Sequence, residues 1–426
     1  MKIRTFRIPS RAARAHLEIL ARRSRSLFDG AAAAAAERAL SEIRRDGDRA
    51  LARWRERYDG TATRLRTLPK PATVSREFRR AFDESLARLT AFHSLQETAG
   101  AKLRIAGSVI EEQVVPLDSV GVYLPGGEAP YVSTALMTIL PARIAGVARI
   151  AAATPPAAYD GSAELRYALD RLGVTEIYRM GGAHAIAALA VGTKSVPPVA
   201  KIVGPGNRYV TAAKRLVSGF VGIDGLAGPT EVAVFADGAA DAERVAADLL
   251  AQAEHDTSAA AVLVTTSAKL ARLVEAALVR SLAVLSTRGR ARRSLARYGA
   301  IGIAVSLRAA VDYLEEFAPE HLGVQTRTSL EHARLFRRAG AVFAGGASSE
   351  VFGDYVAGTN HVLPTHGTAR FASALSVRDF VRRIPLVCLS RRDAEALSEA
   401  AQVWARVEGL PAHGAAAALR RRKGAP

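Results

Sequence analysis

The feature that most constrains this chain is a repeated alternation of short apolar runs with helical stretches, which begins near residue 119. Each run is rich in β-forming residues, and the stretch after it carries apolar positions at helical spacing. This alternation is typical of βαβ units, in which helices cover both faces of a parallel sheet. The number of units predicts two sheets rather than one. The predicted strands are SVGVYL, RIAAAT, EIYRM, KIVG, EVAVFA, AAVLVTT and AIGIAVS.

Length and composition narrow the class of protein. A chain of 426 residues predicts two or three domains, and 49% hydrophobic with 23% charged residues is typical of a globular protein. No apolar run has the length of a membrane span, and residues 1–26 lack the apolar segment of a secretory signal. The single cysteine, Cys388, excludes an internal disulfide and a cysteine-rich zinc site. We therefore expect a cytoplasmic location.

The net charge of +18 has two explanations. The first is a nucleic-acid partner. The second, which we favour, is an arginine-rich surface, because the middle of the chain lacks the repeated aromatic and basic strips that bind single strands. An anionic cofactor would also be attracted by the positive field.

Two stretches contain candidate metal ligands. Gln252 and His255 are three residues apart at the end of a predicted helix, 241–254, so they point to one face. A histidine at this position is also a common helix cap. Asp354 lies in the polar stretch 353–371, which the turn-forming residues predict to be a loop after a strand, where α/β enzymes place their sites. The alternative is a solvated loop.

His361, in the same stretch, and His413, in GLPAHG, are further candidates. A set of Gln252, His255, Asp354 and His413 contains nitrogen and oxygen donors without sulfur. Such a set suits Zn²⁺ and also accepts Mn²⁺ or Co²⁺. Spacing alone does not bring these residues together.

Three glycine-rich turns, 124–130, 180–185 and 203–209, lie between predicted strands and helices, where backbone N–H groups attract anions. None has the G-x-G-x-x-G spacing, because Tyr209 stands where the third glycine belongs, and no G-x-x-x-x-G-K-[ST] is present. The turns predict an anionic ligand such as a nucleotide, or serve only to reverse the chain.

The Pro-Glu-His turn places Glu320 beside His321 between a predicted helix and a strand. Two adjacent titratable groups at this position are either an acid/base pair or polar surface.

The motifs taken together resemble histidinol dehydrogenase, the last enzyme of histidine biosynthesis, over about residues 30–420. The resemblance lies in the combination and order of these segments, none of which is specific alone. They are VGVYLPGG, PARIAGV, GGAHAIAALAVGT, KIVGPGN, AGPTEV, DLLAQAEHD, APEHL, GDYVAGTNHVLPT and LSVRDF.

The resemblance implies a homodimer that oxidises L-histidinol to L-histidine with NAD, with one Zn²⁺ bound per subunit. It implies an α/β fold of two incomplete Rossmann-like domains with small helical arms used in dimerisation. The implied division is an N-terminal arm, 1–25, a first Rossmann-like domain, 26–117 with 233–373, a second on the nucleotide side, 118–232, and a C-terminal arm, 374–426.

The resemblance also implies roles for individual residues. The acid/base pair is Glu320 and His321. The zinc ligands are Gln252, His255, Asp354 and, from the neighbouring subunit, His413. Substrate contacts are these four ligands with Thr230, His321, His361 and Glu408. Nucleotide contacts are Tyr123, His184 and Asn207.

Two positions depart from the family pattern, which usually has glutamine at His184 and serine at Thr230. Thr230 keeps the hydroxyl, whereas His184 puts cofactor affinity in question. Two alternatives stay open. One is a related dehydrogenase acting on another small alcohol, such as a sulfonated diol, although the segment 358–371 shows no added cation for a sulfonate. The other is a basic, non-enzymatic nucleic-acid-binding relative.

Overall fold

A computed structural model describes residues 3–25, 30–60, 64–68, 72–96, 99–126 and 131–421. The end of the first glycine-rich turn, 127–130, lies outside this part of the chain. The protein divides into a larger unit, Met1–Gln96 with Asp118–Asp379, and a smaller unit, Glu97–Leu117 with Phe380–Pro426.

The larger unit contains two six-stranded sheets, as the alternation predicts. In the first sheet every neighbouring pair of strands is parallel. Its central strands are buried on both faces, which explains their continuous apolar sequences. From edge to edge the strands are β1 (Arg4–Ile8), β12 (Ala300–Ala304), β11 (Ala260–Thr265), β10 (Glu231–Ala236), β13 (His321–Gln325) and β14 (Ala341–Ala344).

Helices cover the two faces of this sheet and form two apolar clusters with it. Most begin at a serine or aspartate whose side chain accepts a hydrogen bond from the first turn, as Asp241 and Ser306 do. The helices of this region are α1 (Arg11–Arg25), α10 (Ala242–Ala253), α11 (Ala268–Val284), α12 (Arg288–Tyr298), α13 (Leu307–Phe317), α14 (Ser329–Ala333) and α15 (Glu350–Tyr355).

The second sheet is parallel except for its short edge strand. Its strands in order are β2 (Arg66–Thr67), which is antiparallel, β7 (Glu176–Arg179), β6 (Arg149–Thr154), β5 (Ser119–Tyr123), β8 (Lys201–Val203) and β9 (Gly222–Ile223). The helices of this region are α2 (Gly30–Asp46), α3 (Asp48–Asp59), α4 (Arg76–His93), α5 (Val132–Ile144), α6 (Pro156–Gly161), α7 (Ala163–Arg171), α8 (Gly182–Val191) and α9 (Arg208–Val217).

The smaller unit joins a three-stranded antiparallel sheet to two helices. Its strands are β3 (Lys102–Ile105), β4 (Ser108–Pro116) and β15 (Val381–Cys388), and its helices are α16 (Arg391–Val407) and α17 (Pro411–Ala418). Helix α17 has no buried residue among those described. None of the described helices is long and apolar enough to cross a lipid bilayer.

The packing differs from the implied domain division in three places. Residues 1–25 are not a separate arm, because β1 pairs with β12 at the edge of the first sheet. Helix α2 packs its alanines on the second sheet's helices, whereas the division puts 26–117 with the first sheet. Strand β4, which the division puts in the first Rossmann-like domain, pairs with β15 in the smaller unit, so the C-terminal segment is not purely helical. The four-part division otherwise stays a prediction.

Candidate active site

The Glu320–His321 pair lies where α13 ends and β13 begins. Ala318 adopts a left-handed conformation (φ 50°) that terminates the helix, and His321 is the first residue of the strand. His321 pairs in register with Val232, near the start of β10. The pair therefore lies at the amino ends of the strands. This agrees with the prediction that the Pro-Glu-His turn lies between a helix and a strand.

The Glu320 carboxylate is held by a chain of hydrogen bonds. Its Oε2 accepts from the Thr230 hydroxyl at 2.5 Å and from the Glu231 backbone N–H at 2.9 Å. The Thr230 hydroxyl accepts in turn from the Gln252 side-chain amide at 2.7 Å. Burial raises the pKa of Glu320. Three residues with roles implied by the resemblance thus meet in one network.

His321 has a fixed orientation. Its Nδ1 donates to the Glu231 backbone carbonyl at 3.1 Å, and its Nε2 faces Asp354 Oδ1 at 3.4 Å. The ring also stacks near Phe343, with centroids 6.1 Å apart. Burial opposes the charged form, but the carboxylates of Glu320 and Asp354 outweigh it and raise the pKa of His321 to about 9.

Asp354 lies on the short helix α15, which corrects the expectation that the stretch 353–371 is all loop. His361 follows in irregular chain and donates from Nδ1 to the Asp354 backbone carbonyl at 2.8 Å. Burial disfavours the Asp354 carboxylate, but the hydrogen bond from His321 and the charges of His361 and His255 keep its pKa below the usual value. Asp354 is therefore an ionised carboxylate surrounded by three histidines.

The residues of this unit fit part of a metal site. Among the described residues, no group of three or more His, Cys, Asp or Glu side chains is arranged to hold a metal ion. Asp354 and the exposed His255 supply one oxygen and one nitrogen donor. The Gln252 amide nitrogen is engaged by Thr230, so Oε1 is the end available to a metal. This donor set suits zinc but needs a further ligand.

The smaller unit contains two further predicted residues, the metal ligand His413 and the substrate contact Glu408. Both side chains are exposed. They line one concave surface of about 470 Å³ together with Trp404 and Leu410. Imidazole, carboxylate and an aromatic ring thus share one face of the α16–α17 pair.

The predicted nucleotide contacts Tyr123 and His184 meet at the start of α8. The Tyr123 hydroxyl accepts from the Gly182 N–H at 3.1 Å, and burial raises its pKa to about 12. His184 Nε2 is hydrogen-bonded to Asp59 at 2.9 Å, and the same carboxylate accepts from the Gly181 N–H at 3.2 Å. Asp59, which sequence reasoning missed, therefore occupies the helix N-terminus predicted to attract a phosphate.

The third predicted contact, Asn207, is the exposed N-cap of α9. Its side-chain oxygen accepts hydrogen bonds from the N–H groups of Tyr209 and Val210. These two N–H groups at the start of α9 therefore already have an acceptor within the chain. Gly204, in the same turn, lies so close to the Tyr123 backbone that a Cβ would sit 2.1 Å from the Tyr123 carbonyl oxygen. The turns at 180–185 and 203–209 therefore both adjoin Tyr123.

A buried ion pair that sequence reasoning missed supports the catalytic turn. Arg23, from α1, pairs with the Glu231 carboxylate and donates to the Ser258 carbonyl at 2.7 Å. Glu231 Oε2 accepts from the Glu320 backbone N–H at 3.3 Å. Burial raises the pKa of Glu231 to about 7. An acidic residue opening the apolar strand EVAVFA was the available signal, since such a group needs a buried partner.

Comparison with known proteins gives the same assignment as the motifs. A family model described as histidinol dehydrogenase matches residues 22–421. The chain belongs to the histidinol dehydrogenase family. It is 44% identical to the histidinol dehydrogenase of Geobacillus kaustophilus over 90% of this chain and 93% of that protein. It is 44% identical to the enzyme of Thermus thermophilus over the same shares of the two chains.

The fold agrees with this membership. The crystal structure of histidinol dehydrogenase from Elizabethkingia anophelis superposes with a TM-score of 0.89 at 30% identity, covering 98% of each chain. The family is NAD-linked and zinc-dependent, and oxidises histidinol to histidine. The protein is accordingly an oxidoreductase of histidine biosynthesis.

Proposed function

We propose that this protein oxidises L-histidinol to L-histidine in two hydride transfers to NAD⁺, and that the intermediate aldehyde stays bound. The observation that carries this is the convergence of Glu320, His321 and Asp354 with Thr230 and Gln252 in one buried network. The first transfer converts the alcohol to the aldehyde and releases a proton. Addition of water gives a hydrated aldehyde, whose second hydride leaves to another NAD⁺ and yields the carboxylate. NAD⁺ supplies the hydride acceptor, and the protein supplies position and proton transfer.

His321 is the proposed base for the alcohol proton. Its Nδ1 is engaged by the Glu231 carbonyl, so Nε2 is the atom that can take the proton. While Asp354 faces His321, the charged imidazolium is favoured. With Asp354 engaged as a metal ligand, His321 would lose one of the two carboxylates that raise its pKa.

Glu320 is the proposed base for the water that adds to the aldehyde. Its Oε2 is occupied by Thr230 and Glu231, so the remaining oxygen, Oε1, is the one to accept the water's proton. The raised pKa of this buried carboxyl makes it a stronger base than an exposed glutamate. The two steps therefore use two bases of different chemistry in adjacent positions.

Gln252, His255 and Asp354 would hold the zinc ion, with His413 of a second copy as the fourth ligand. When bound, the ion would supply a Lewis-acid site for the nitrogen donors of histidinol and so orient the substrate. Thr230, His361 and Glu408 are proposed substrate contacts, Glu408 also from the second copy. The exposure of His413 and Glu408 on a shared concave face supports a homodimer with shared sites.

Tyr123, His184 and Asn207 are the proposed nucleotide contacts. Their backbone turns adjoin one another, which supports a common binding surface. The hydrogen bond to Asp59 fixes His184 and reduces its freedom to contact a cofactor. We also propose a cytoplasmic location, where histidine biosynthesis has NAD available.

Counting NADH against substrate tests this function. Purified protein loaded with Zn²⁺ is given limiting L-histidinol and excess NAD⁺, and absorbance records the NADH formed. We expect two NADH per histidinol. Turnover of a sulfonated diol without turnover of histidinol would favour the related dehydrogenase, and DNA binding with a steep salt dependence but no turnover would favour the nucleic-acid-binding relative.

A further inference from the structure

A second polar cluster lies buried beside the catalytic network. The Gln325 side-chain amide donates to Asp248 Oδ2 at 2.6 Å, and the Ser349 hydroxyl donates to Asp248 Oδ1 at 2.8 Å. Glu350 adjoins Ser349 and is, like Gln325, only 3% exposed. The cluster therefore joins α10, β13 and α15, which are the three elements that carry the proposed ligands and base.

Each member of the cluster lies four residues along the chain from a proposed site residue. Asp248 is four residues before Gln252 on α10, and Glu350 is four residues before Asp354 on α15, so each pair shares one helix face. Gln325 is four residues after His321 on β13, so both point to the same side of the sheet. Asp248 and Glu350 thus each lie one helical turn from a proposed ligand, and Gln325 lies at the other end of β13 from His321, on the same side of the sheet.

The hydrogen-bonding capacity of the cluster indicates that it holds a proton. Its oxygen acceptors outnumber its donors, and two buried oxygens, Gln325 Oε1 and Glu350 Oε1, have no hydrogen-bond partner among the described residues. Burial first, and then the negative charge of Asp248, raise the pKa of Glu350 to about 8. A protonated Glu350 supplies a donor where acceptors are in excess.

We infer that Asp248, Gln325 and Glu350 are positioning residues that set the separation of α10, β13 and α15, and so the geometry in which Gln252, His321 and Asp354 meet a metal ion and substrate. This inference rests on the proposed function, because the geometry it controls is that of the proposed zinc site. Residues that orient metal ligands act through them, and their loss typically lowers metal affinity about 10–100-fold.

The test compares Glu350→Gln with Glu350→Ala. Glutamine keeps the size and donor capacity of the neutral acid, whereas alanine removes both. Zinc dissociation constants come from chelator competition, and the visible spectrum of the Co²⁺-substituted protein reports ligand geometry. We expect alanine to weaken zinc binding about 10–100-fold and to change the cobalt spectrum, and glutamine to restore both to wild-type values. Glu243→Ala, an exposed carboxylate on α10, is the matched control and should change neither.

If Glu350→Ala does not fold, Ser349→Ala carries the test, since it removes the hydroxyl that bonds Asp248 while leaving Glu350 in place. Wild-type zinc affinity and cobalt spectrum in the alanine variants would overturn the inference, as would a glutamine variant as impaired as Glu350→Ala. Failure of the wild-type protein itself to bind zinc would instead overturn the proposed function, and this inference with it.

Discussion

The two ends of the chain have opposite structural roles, although the sequence predicted both as arms. Near the N-terminus, β1 extends the first sheet, and α1 buries His16 and Arg23 against it. Near the C-terminus, α16 and α17 leave Trp404 66% exposed and Val407 75% exposed. The first segment completes a core within its own unit. The second presents apolar side chains and two predicted site residues on a surface that a partner could cover.

Under the proposed function, this difference separates two ways of supporting one site. The N-terminal helix acts within the subunit, since Arg23 fixes Glu231 and Glu231 holds the Glu320 backbone. The C-terminal helices can act only by meeting another surface, because His413 and Glu408 face solvent. Changes at the N-terminal end should therefore affect folding first, and changes at the C-terminal end should affect metal binding first.

Arg23→Met has the largest expected effect. Removing Arg23 leaves the buried Glu231 carboxyl without its cation, and losing one partner of a buried pair costs about 3–5 kcal/mol of unfolding free energy. The free energy can be measured by urea denaturation. Arg22→Met is the matched control, since Arg22 is 75% exposed and its ion pair with Glu18 is on the surface, worth about 0–1 kcal/mol. Equal stability of the two variants would contradict the proposed support of the catalytic turn.

His413→Ala should weaken zinc binding by more than the roughly 10–100-fold typical of residues outside the metal's ligand shell. Its folding should be unchanged, because the side chain is exposed. Chelator competition measures the affinity, and circular dichroism checks the fold. Arg406→Ala, another exposed residue of the C-terminal helices, serves as the control. Unaltered zinc affinity in His413→Ala would remove this residue from the ligand set.

His16→Gln should give the smallest effect, visible only in the pH dependence of stability. Burial lowers the pKa of His16 to about 4 from its ordinary 6.5. Between these values the unfolded chain binds more protons than the folded one, so stability falls as pH falls. The unfolding free energy at pH 5 is therefore about 2 kcal/mol lower than at pH 7.5 because of this one histidine.

Urea denaturation at pH 7.5 and pH 5 measures this difference. Between pH 7.5 and pH 5, the unfolding free energy of His16→Gln should fall by about 2 kcal/mol less than that of the wild type. An unchanged pH dependence in His16→Gln would show that this histidine is not held neutral in the folded protein.

Much of the fold was accessible from the sequence because local patterns specify it. Seven predicted strands, from SVGVYL to AIGIAVS, are strands of the two sheets. Strands β1 and β15 were missed because their sequences, RTFRI and VRRIPLVC, carry charges. Their partners are also hundreds of residues away, since β1 pairs with β12 and β15 pairs with β4. Edge pairing of this kind depends on tertiary contacts.

The site was predictable only in part for a related reason. Motifs identified Glu320, His321 and Asp354, and the structure brings these three together. Arg23, Asp59 and the Asp248 cluster were not predicted, because their hydrogen-bond and ion-pair partners lie on other elements of the fold. Local sequence patterns do not indicate contacts of this kind. The meeting of Gln252 with Thr230 and Glu320 at the amino ends of β10 and β13 was also not predicted. It follows from α10, which runs back along the sheet and returns Gln252 to the strand starts.

Subunit mixing tests the central claim, that one copy supplies the catalytic pair and the other completes the metal site, most directly. His321→Asn and His413→Ala are each expected to be inactive as homodimers. Mixed under subunit exchange, they should recover about a quarter of wild-type activity, because half of the random dimers are mixed and each has one intact site. A mixture in which exchange is demonstrated but activity stays as low as in either variant alone would contradict the account.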